Sequence, residues 1–274
     1  KEFLEISDIF KKSKTLFRMG FEKQRKGIFK VNKFEEKFTF KLKSNYGLAV
    51  SSGTAALRVA LSTLNLKEGD EVITQSFTFV ATVEAIVESR AVPVCTEVDE
   101  TLNMDPDDLV KKISKKTKAV IVVHMLGVPA RLDKIKKICK KYNLVLIEDT
   151  AWGCGAKYKN KFLGTWGDMG AFSFDFAKTI TTGEGGMVLF KSKKKFEAAK
   201  AWHDHGHENN PKVPRWEDTR KSSGFNFRMT EMQAAVGLAQ LKKLDFIVKK
   251  QRENHDKIWN KIKDIPEIKK RLYP

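Results

Sequence analysis

The chain has 274 residues, with 52 Lys and Arg against 34 Asp and Glu, which gives a formal net charge of +18. Its hydrophobic content of 41% and aromatic content of 10% exclude an intrinsically disordered chain, and its length suits one large domain or two modest ones. The longest apolar stretch, residues 119–128, is about half a membrane span, and the first residues contain no secretory signal, so we expect no membrane insertion.

Apolar runs and amphipathic helical patterns alternate from about residue 47 onward. The apolar runs predict strands at residues 47–51, 71–74, 92–98, 119–124 and 144–148. The segments between them predict helices at residues 53–64, 78–90, 105–114 and 131–142. Asp105 and Pro106 are typical of a helix start. Continuous apolar strands separated by helices indicate a parallel sheet covered on both faces.

The pattern changes after residue 150, where the strands become more aromatic and the connections longer. The predicted elements here are strands at residues 169–176 and 186–190, a helix at 191–202, a polar loop with Pro211 and Pro214 at 203–227, and a long helix, continuous or broken once, at 230–262. Together with the first half, this order predicts an α/β fold with a large, mostly parallel sheet.

The first predicted strand is followed by Ser51, Ser52, Gly53 and Thr54, which open a helix. Small residues at a helix N-terminus expose backbone N–H groups that suit a phosphate, but a plain strand-to-helix turn explains them equally well. The segment is not a P-loop, because the sequence contains no GxxxxGK(S/T), and GTWGDMG (164–170) is not a dinucleotide fingerprint, because its spacing is wrong and no strand precedes it.

Three ionisable side chains follow apolar strands further along the chain. Glu148 and Asp149 end the run LVLIED and are either a helix cap or functional acids. Lys178 follows an aromatic strand and precedes a Thr- and Gly-rich loop. An amine in a partly apolar setting has a depressed pKa and can form a Schiff base, whereas the alternative is a surface lysine in a hairpin.

Five segments, in order, resemble the DegT/DnrJ/StrS sugar aminotransferases. They are SSGTAAL (51–57), SFTFVAT (76–82), EDTA (148–151), GTWGDMGAFSFDFAKTITTGEGG (164–186) and GFNFRMTEMQAA (224–235). The resemblance covers essentially the whole chain. It implies a pyridoxal phosphate (PLP) enzyme with the fold of aspartate aminotransferase, fold type I, in which the matching part is the large domain.

The resemblance assigns the central chemistry to two residues. Lys178 matches the lysine that forms the Schiff base with PLP, and Asp149 matches the acid that pairs with the pyridinium nitrogen and keeps the ring an electron sink. Trp152 departs from the family, which has Gln or His there, near the phenolic oxygen of the cofactor. Either the indole N–H replaces that hydrogen bond, or Trp152 is turned away and shapes the substrate pocket.

The remaining cofactor contacts also follow from the resemblance. They comprise a phosphate cradle, an aromatic residue that stacks on the ring, and a residue supplied by the second subunit of a homodimer with shared active sites. These residues are Ser52, Gly53, Thr54 and Ser173 for the phosphate, Phe79 for the ring, and Asn226 from the partner subunit.

A narrower resemblance concerns the substrate. LFRMGFEKQRKGIFKVNKFE (16–35), VHMLG (123–127) and HDHGH (203–207) resemble the subgroup that aminates an 8-keto-3-deoxy-octulosonate, a precursor of cell-surface polysaccharide such as lipopolysaccharide. Arg18, Arg25, His205 and Arg228 then meet a carboxylate or sugar hydroxyls. The alternative for Arg18 and Arg25 is surface charge. The alternative substrate is a nucleotide-linked 3-keto or 4-keto sugar, as in most of the family.

Other functions remain open at this stage. Relatives that replace the lysine by His are PLP-dependent sugar dehydratases, but this chain keeps Lys178, which favours transamination with an amino acid such as glutamate as donor. The alternating His203, His205 and His207 suggest a metal site, yet a loop at the mouth of the active site explains them without one, and we expect no metal. His124 either lines the pocket or is a satisfied core residue.

Composition bears on partners and compartment. The basic residues are 42 Lys and ten Arg, and the lysines are spread along helix faces, so we expect no nucleic-acid binding, although a non-catalytic basic binding protein is the third hypothesis. Three scattered cysteines, Cys95, Cys139 and Cys154, form no disulfide framework and favour a reducing, cytoplasmic compartment.

Family chains carry a further C-terminal small domain. By resemblance, we expect residues 1–245 to form the PLP-binding large domain with an N-terminal arm, and residues 246–274 to begin a small domain that is mostly absent.

Overall fold

A seven-stranded sheet lies at the centre of the computed structural model, which describes residues 1–210, 212–220 and 222–274. Pro211, part of the predicted polar loop, lies outside the described residues. The strands are β1 (Tyr46–Val50), β2 (Glu71–Gln75), β3 (Val92–Thr96), β4 (Thr117–Val123), β5 (Val145–Asp149), β6 (Lys157–Tyr158), β7 (Lys161–Phe162), β8 (Met169–Ser173) and β9 (Gly186–Phe190). The short strands β6 and β7 form a separate hairpin, which was not predicted.

The strand order is β1-β9-β8-β5-β4-β2-β3. Strands β3, β2, β4, β5 and β8 are parallel, and β9 runs antiparallel to both of its neighbours, β8 and β1. The mostly parallel sheet is thus confirmed. Its inner strands are buried at nearly every position, because their Val-, Ile- and Leu-rich runs are covered on both faces.

The helices follow the predicted pattern closely between residues 53 and 202. Their bounds are α1 (Glu2–Asp8), α2 (Glu22–Arg25), α3 (Lys30–Leu42), α4 (Gly53–Ser62), α5 (Val80–Val87), α6 (Pro106–Lys112), α7 (Leu132–Lys141), α8 (Lys193–Trp202), α9 (Glu231–Leu241) and α10 (Leu244–Ile262). Asp105 caps α6 by accepting a hydrogen bond from the N–H of Asp107, as its position before Pro106 predicts.

The N-terminal arm packs on the sheet through α3. Val31, Phe34, Phe38 and Leu42 recur every three or four residues and are all buried. Phe38 makes edge-to-face contacts with Phe172 on β8. These contacts place α3 between the sheet and α9.

The long C-terminal helix is two helices, since α9 ends at Leu241 and α10 begins at Leu244. The expected domain boundary at residues 245/246 therefore falls inside α10 and remains a prediction. Across the described ranges, no helix is both long enough and apolar enough to cross a membrane.

Candidate active site

Strands β1, β5 and β8 run in the same direction, so their carboxyl ends meet at one edge of the sheet. A cavity of about 340 Å³ lies there, within the size range of small-molecule sites. Eight of the nine predicted cofactor residues line it: Ser52, Gly53, Thr54, Phe79, Asp149, Trp152, Ser173 and Lys178. Asn226, which the resemblance assigns to the site of the partner subunit, is exposed. Its backbone forms an isolated β-bridge with Asp204, and its role toward a cofactor remains a prediction.

The N-terminus of α4 forms one wall of this cavity. The Ser52 side chain accepts a hydrogen bond from the N–H of Ala55, while the N–H groups of Gly53 and Thr54 have no acceptor among the described residues. A Cβ on Gly53 would lie 2.7 Å from the Cβ of Ser173, so only glycine lets the helix approach β8 this closely. Two free donors, a hydroxyl and the helix dipole therefore converge on one point, which suits a phosphate.

Asp149 is buried at the end of β5 and is held from two sides. One carboxylate oxygen accepts a hydrogen bond from the hydroxyl of Thr82 at 2.9 Å, and the other accepts one from the N–H of Ala151 at 3.1 Å. Burial raises the pKa of Asp149, and these two hydrogen bonds oppose the rise. The result is an oriented, poorly solvated carboxylate that favours a cationic partner. Thr82 lies in the motif SFTFVAT, but no role was predicted for it.

Lys178 projects into the cavity from the segment that joins β8 to β9. Burial lowers its pKa, and the carboxylates of Asp175 and Asp149 only partly oppose this. A lowered pKa increases the share of neutral amine, which is the nucleophilic form. The Lys178 Nζ lies 3.6 Å from the ring centroid of Trp152. Trp152 thus lines the cavity and presents the face of its indole ring to the lysine.

Glu148 is next to Asp149 but belongs to the core. Its carboxylate accepts hydrogen bonds from the backbone N–H groups of Gly164, Trp166 and Gly167, and it contacts His124 Nε2 at 3.0 Å. His124 Nδ1 accepts from the N–H of Ala130, so Nε2 carries the proton and donates to Glu148. His124 is therefore the satisfied core residue of the two alternatives.

The structure does not bring Arg18 and Arg25 to the cavity, which corrects the expectation that they meet substrate. Arg18 donates to Glu35 and to the backbone oxygen of Ala49. Arg25 is fully buried and pairs with Glu231. The alternative interpretation, that both are surface charges, is also wrong, because both side chains are buried. They fix the N-terminal arm to the body of the protein.

Arg228 and His205 lie outside the cavity lining as well. Arg228 donates to Asp204 and stacks over Phe17, and Asp204 also binds Arg215. His205 is exposed. Their role toward a substrate remains a prediction. Within the described part of the chain, no group of three or more His, Cys, Asp and Glu side chains is arranged to hold a metal ion.

Comparison with known proteins identifies the family. The model of the DegT/DnrJ/EryC1/StrS aminotransferase family matches residues 22–272. The chain belongs to this family. Its members are PLP-dependent sugar aminotransferases, which confirms the predicted family, fold type and cofactor class.

Relatives of known sequence include the GDP-perosamine synthase of Escherichia coli O157:H7, which is 40% identical over 241 residues, covering 88% of this chain and 65% of that protein. The spore coat polysaccharide biosynthesis protein SpsC of Bacillus subtilis is 35% identical over 246 residues, covering 86% of this chain and 62% of that protein. The chain thus spans less than two thirds of the length of these relatives.

Solved structures agree in fold. Helicobacter pylori PseC, an aminotransferase involved in the biosynthesis of pseudoaminic acid, superposes with a TM-score of 0.87 at 31% identity, covering 97% of this chain and 68% of that one. The E. coli GDP-4-keto-6-deoxy-D-mannose-3-dehydratase with bound hydrated PLP gives a TM-score of 0.88 at 28% identity, covering 99% of this chain and 72% of that one. Both aminotransferases and a dehydratase therefore share this architecture.

Proposed function

We propose that the protein containing this chain is a PLP-dependent aminotransferase that moves an amino group from an amino acid, with glutamate as donor, to a keto sugar. One observation carries the proposal. A lysine with a lowered pKa, a buried carboxylate and a helix N-terminus with free donors all line the same cavity. These three features match the aldehyde, the ring nitrogen and the phosphate of PLP.

The donor set fits PLP on geometric grounds. Gly53 packs against Ser173 so closely that a Cβ would clash, which brings the α4 donors and the Ser173 hydroxyl together where a phosphate would bind. Asp149 is oriented by Thr82 and Ala151 and would hold the ring nitrogen. When bound, PLP supplies an electron sink that stabilises negative charge on the carbon bearing the amino group.

The chain's own residues supply binding, orientation and proton movement. Asp149 would keep a protonated ring nitrogen charged, because its carboxylate is buried and poorly solvated and is oriented by Thr82 and Ala151. Lys178 is the general acid and base, since a neutral amine at its Nζ can take a proton from substrate carbon and return it. Phe79 and Trp152 are apolar walls that exclude water from this exchange.

For the acceptor, we propose an 8-keto-3-deoxy-octulosonate used in cell-surface polysaccharide synthesis, on the narrower sequence resemblance. Arg18 and Arg25 do not support this choice, because both side chains are buried in contacts that hold the N-terminal arm on the body of the protein. The similarity to GDP-perosamine synthases supports the alternative, a nucleotide-linked keto sugar. We also propose a homodimer with shared sites that acts in the cytoplasm, where the free thiols of all three cysteines are stable.

A half-reaction experiment tests the activity and the acceptor together. PLP-loaded protein is treated with glutamate, and the loss of the visible cofactor band is followed. Keto sugars with and without a nucleotide are then added, and recovery of the band identifies the acceptor class. Lys178→Ala is expected to abolish the response to glutamate. Lys161→Ala is the matched control, because Lys161 also lies beside a tryptophan, Trp166, and also has a pKa lowered by desolvation, but it is exposed and lies outside the cavity.

The competing functions give different results. A protein that neither binds PLP nor responds to glutamate contradicts the proposal. A deoxygenated sugar formed without incorporation of an amine indicates a dehydratase instead. Salt-sensitive binding of nucleic acid in the absence of PLP indicates a basic binding protein.

A further inference from the structure

The contact between Trp152 and Lys178 was anticipated by neither of the roles considered for this tryptophan. The Lys178 Nζ lies 3.6 Å from the indole centroid, and no described residue accepts a hydrogen bond from it. The indole N–H likewise has no protein acceptor among the described residues. The ring face, and not the N–H group, is therefore the part of Trp152 that meets the lysine.

The backbone of Trp152 is fixed in a tight turn. The N–H of Gly153 donates to the carbonyl oxygen of Thr150. A Cβ on Gly127 would lie 3.0 Å from the Trp152 carbonyl oxygen, and one on Gly153 would lie 3.1 Å from atoms of Leu163 and Thr150. Because neighbouring segments pack this closely on both sides, the turn cannot shift without displacing the core, which fixes the point from which the indole extends.

An indole face attracts an ammonium group through its quadrupole, and tryptophan is the strongest such partner among the side chains. We propose that Trp152 is a positioning residue for Lys178, whose amine rests on the indole face whenever it is not bonded to cofactor. The contact between the two side chains is independent of the proposed function, but a role of this contact in transamination rests on the proposed function. There, the indole face keeps the free amine inside the cavity between proton transfers.

Other charged groups also face the lysine and must be accounted for. Asp175, on the same segment, and Asp149, at the end of β5, both favour the charged amine, and Glu184 lines the same cavity. Burial acts in the opposite direction. Substituting Trp152 leaves all three carboxylates in place, so a change in the titration of Lys178 then reports the loss of the ring.

The test is made on the protein without cofactor. An amine-specific reagent modifies lysines only in their neutral form, and peptide mass spectrometry measures the extent of modification at Lys178 at each pH. We expect the midpoint of this pH profile to fall by about half a unit to one unit in Trp152→Leu, because the ring no longer stabilises the ammonium while the site stays apolar. For Trp152→Phe, which keeps a weaker ring face, the midpoint is expected to lie between those of the unsubstituted protein and of Trp152→Leu.

Phe79→Leu is the matched control, since Phe79 lines the same cavity, while the ammonium of Lys178 lies over the ring of Trp152. Incorporation of fluorinated tryptophans replaces Trp152→Leu if that variant does not fold, because fluorine weakens the ring quadrupole with little change of shape. Stepwise lowering of the midpoint with added fluorine supports the proposal. An unchanged or raised midpoint, or an equal fall in Phe79→Leu, overturns it. A failure to bind PLP, in contrast, overturns only the proposed function.

Discussion

Adjacent residues at the end of β5 carry the same chemical group and serve opposite purposes. Side chains alternate between the two faces of a strand, so Glu148 and Asp149 point to different surroundings. Glu148 is satisfied by three backbone N–H groups and His124. Among the residues that the structure describes, the Asp149 carboxylate accepts from two donors, and it lines the cavity. Glu148 therefore stabilises the fold, whereas burial of the Asp149 carboxylate costs free energy that a bound cation would offset.

This contrast predicts opposite effects of two similar substitutions on the unloaded protein. Glu148→Gln is expected to lower the free energy of unfolding by about 2–4 kcal/mol, because an amide brings N–H groups toward backbone donors and removes a buried charge from its partners. Asp149→Asn is expected to raise it at pH 7. Chemical denaturation of both variants measures the two effects.

The raised pKa of Asp149 determines how the stability of the unloaded protein depends on pH. Its folded-state pKa lies above the ordinary value of 3.8, so the folded protein holds the proton more tightly, and stability falls as pH rises above about 3.8. The advantage of Asp149→Asn should therefore shrink at acidic pH. PLP affinity should fall about tenfold or more in Asp149→Asn and little in Glu148→Gln. An equal loss of PLP affinity in both variants contradicts the division of roles.

Residue-level prediction was strongest where a motif was local. Lys178, Asp149 and the SSGT segment lie at or soon after the ends of apolar strands in local motifs, and parallel strand ends meet at one edge of the sheet. Arg18 and Arg25 were misassigned because their partners are far away in the chain, at Glu35 and Glu231. Local sequence carries no information about such pairs.

At the level of elements, the closeness of α4 to β8 defines the phosphate end of the cavity. Gly53 allows this approach, and Gly186 does the same from β9, since a Cβ there would lie 2.2 Å from the Ser52 carbonyl oxygen. The helix N-terminus is thus held against two strands. Its position depends on the absence of two Cβ atoms.

Gly53→Ala is expected to push α4 away from β8. Overpacking of this kind costs about 1–3 kcal/mol of stability, and we expect PLP affinity to fall as well because the helix donors retreat. Thermal unfolding and cofactor titration measure both. Ser173→Gly removes the clashing atoms, so the double variant should be more stable than the sum of the single changes predicts. Strict additivity shows that the two residues are not in steric conflict.

Element boundaries show where sequence patterns stop being informative. The strands were predicted to within about two residues at most ends, because apolar runs bounded by polar residues are local signals. The break between α9 and α10 falls at Lys242 and Lys243, with no Gly or Pro to mark it. The antiparallel direction of β9 was left open, since a hairpin around Lys178 was only one of two alternatives and strand direction depends on the tertiary path.

On the scale of the whole molecule, the exposed aromatic residues are informative. Phe176, between two residues that line the cavity, is 80% exposed, and Phe225, next to Asn226, is 55% exposed. Large exposed apolar side chains near a site indicate a surface that another chain covers. This pattern supports the proposed homodimer, in which Asn226 of each chain reaches the cavity of the other.

Mixed dimers test that arrangement. Lys178→Ala and Asn226→Ala are each expected to impair both sites of a homodimer. Co-expressed with different tags, the two variants should form a heterodimer in which one site lacks both residues and the other is intact. We expect about one dialysis-resistant PLP per heterodimer, measured by absorbance. Two impaired sites per heterodimer would show that Asn226 serves the cavity of its own chain.

The reversal of β9 has a mechanical consequence. Ser173 and Gly186 are partners in the register between β8 and β9, and the N–H of Phe174 donates to the carbonyl oxygen of Gly185, so the segment 174–185, which carries Lys178, is closed at its base. Both ends of this segment are therefore held by the sheet. An insertion or deletion in this segment would alter how far Lys178 reaches into the cavity. A substitution would leave the length of the segment unchanged, so exchange of one side chain here can change the chemistry of the site.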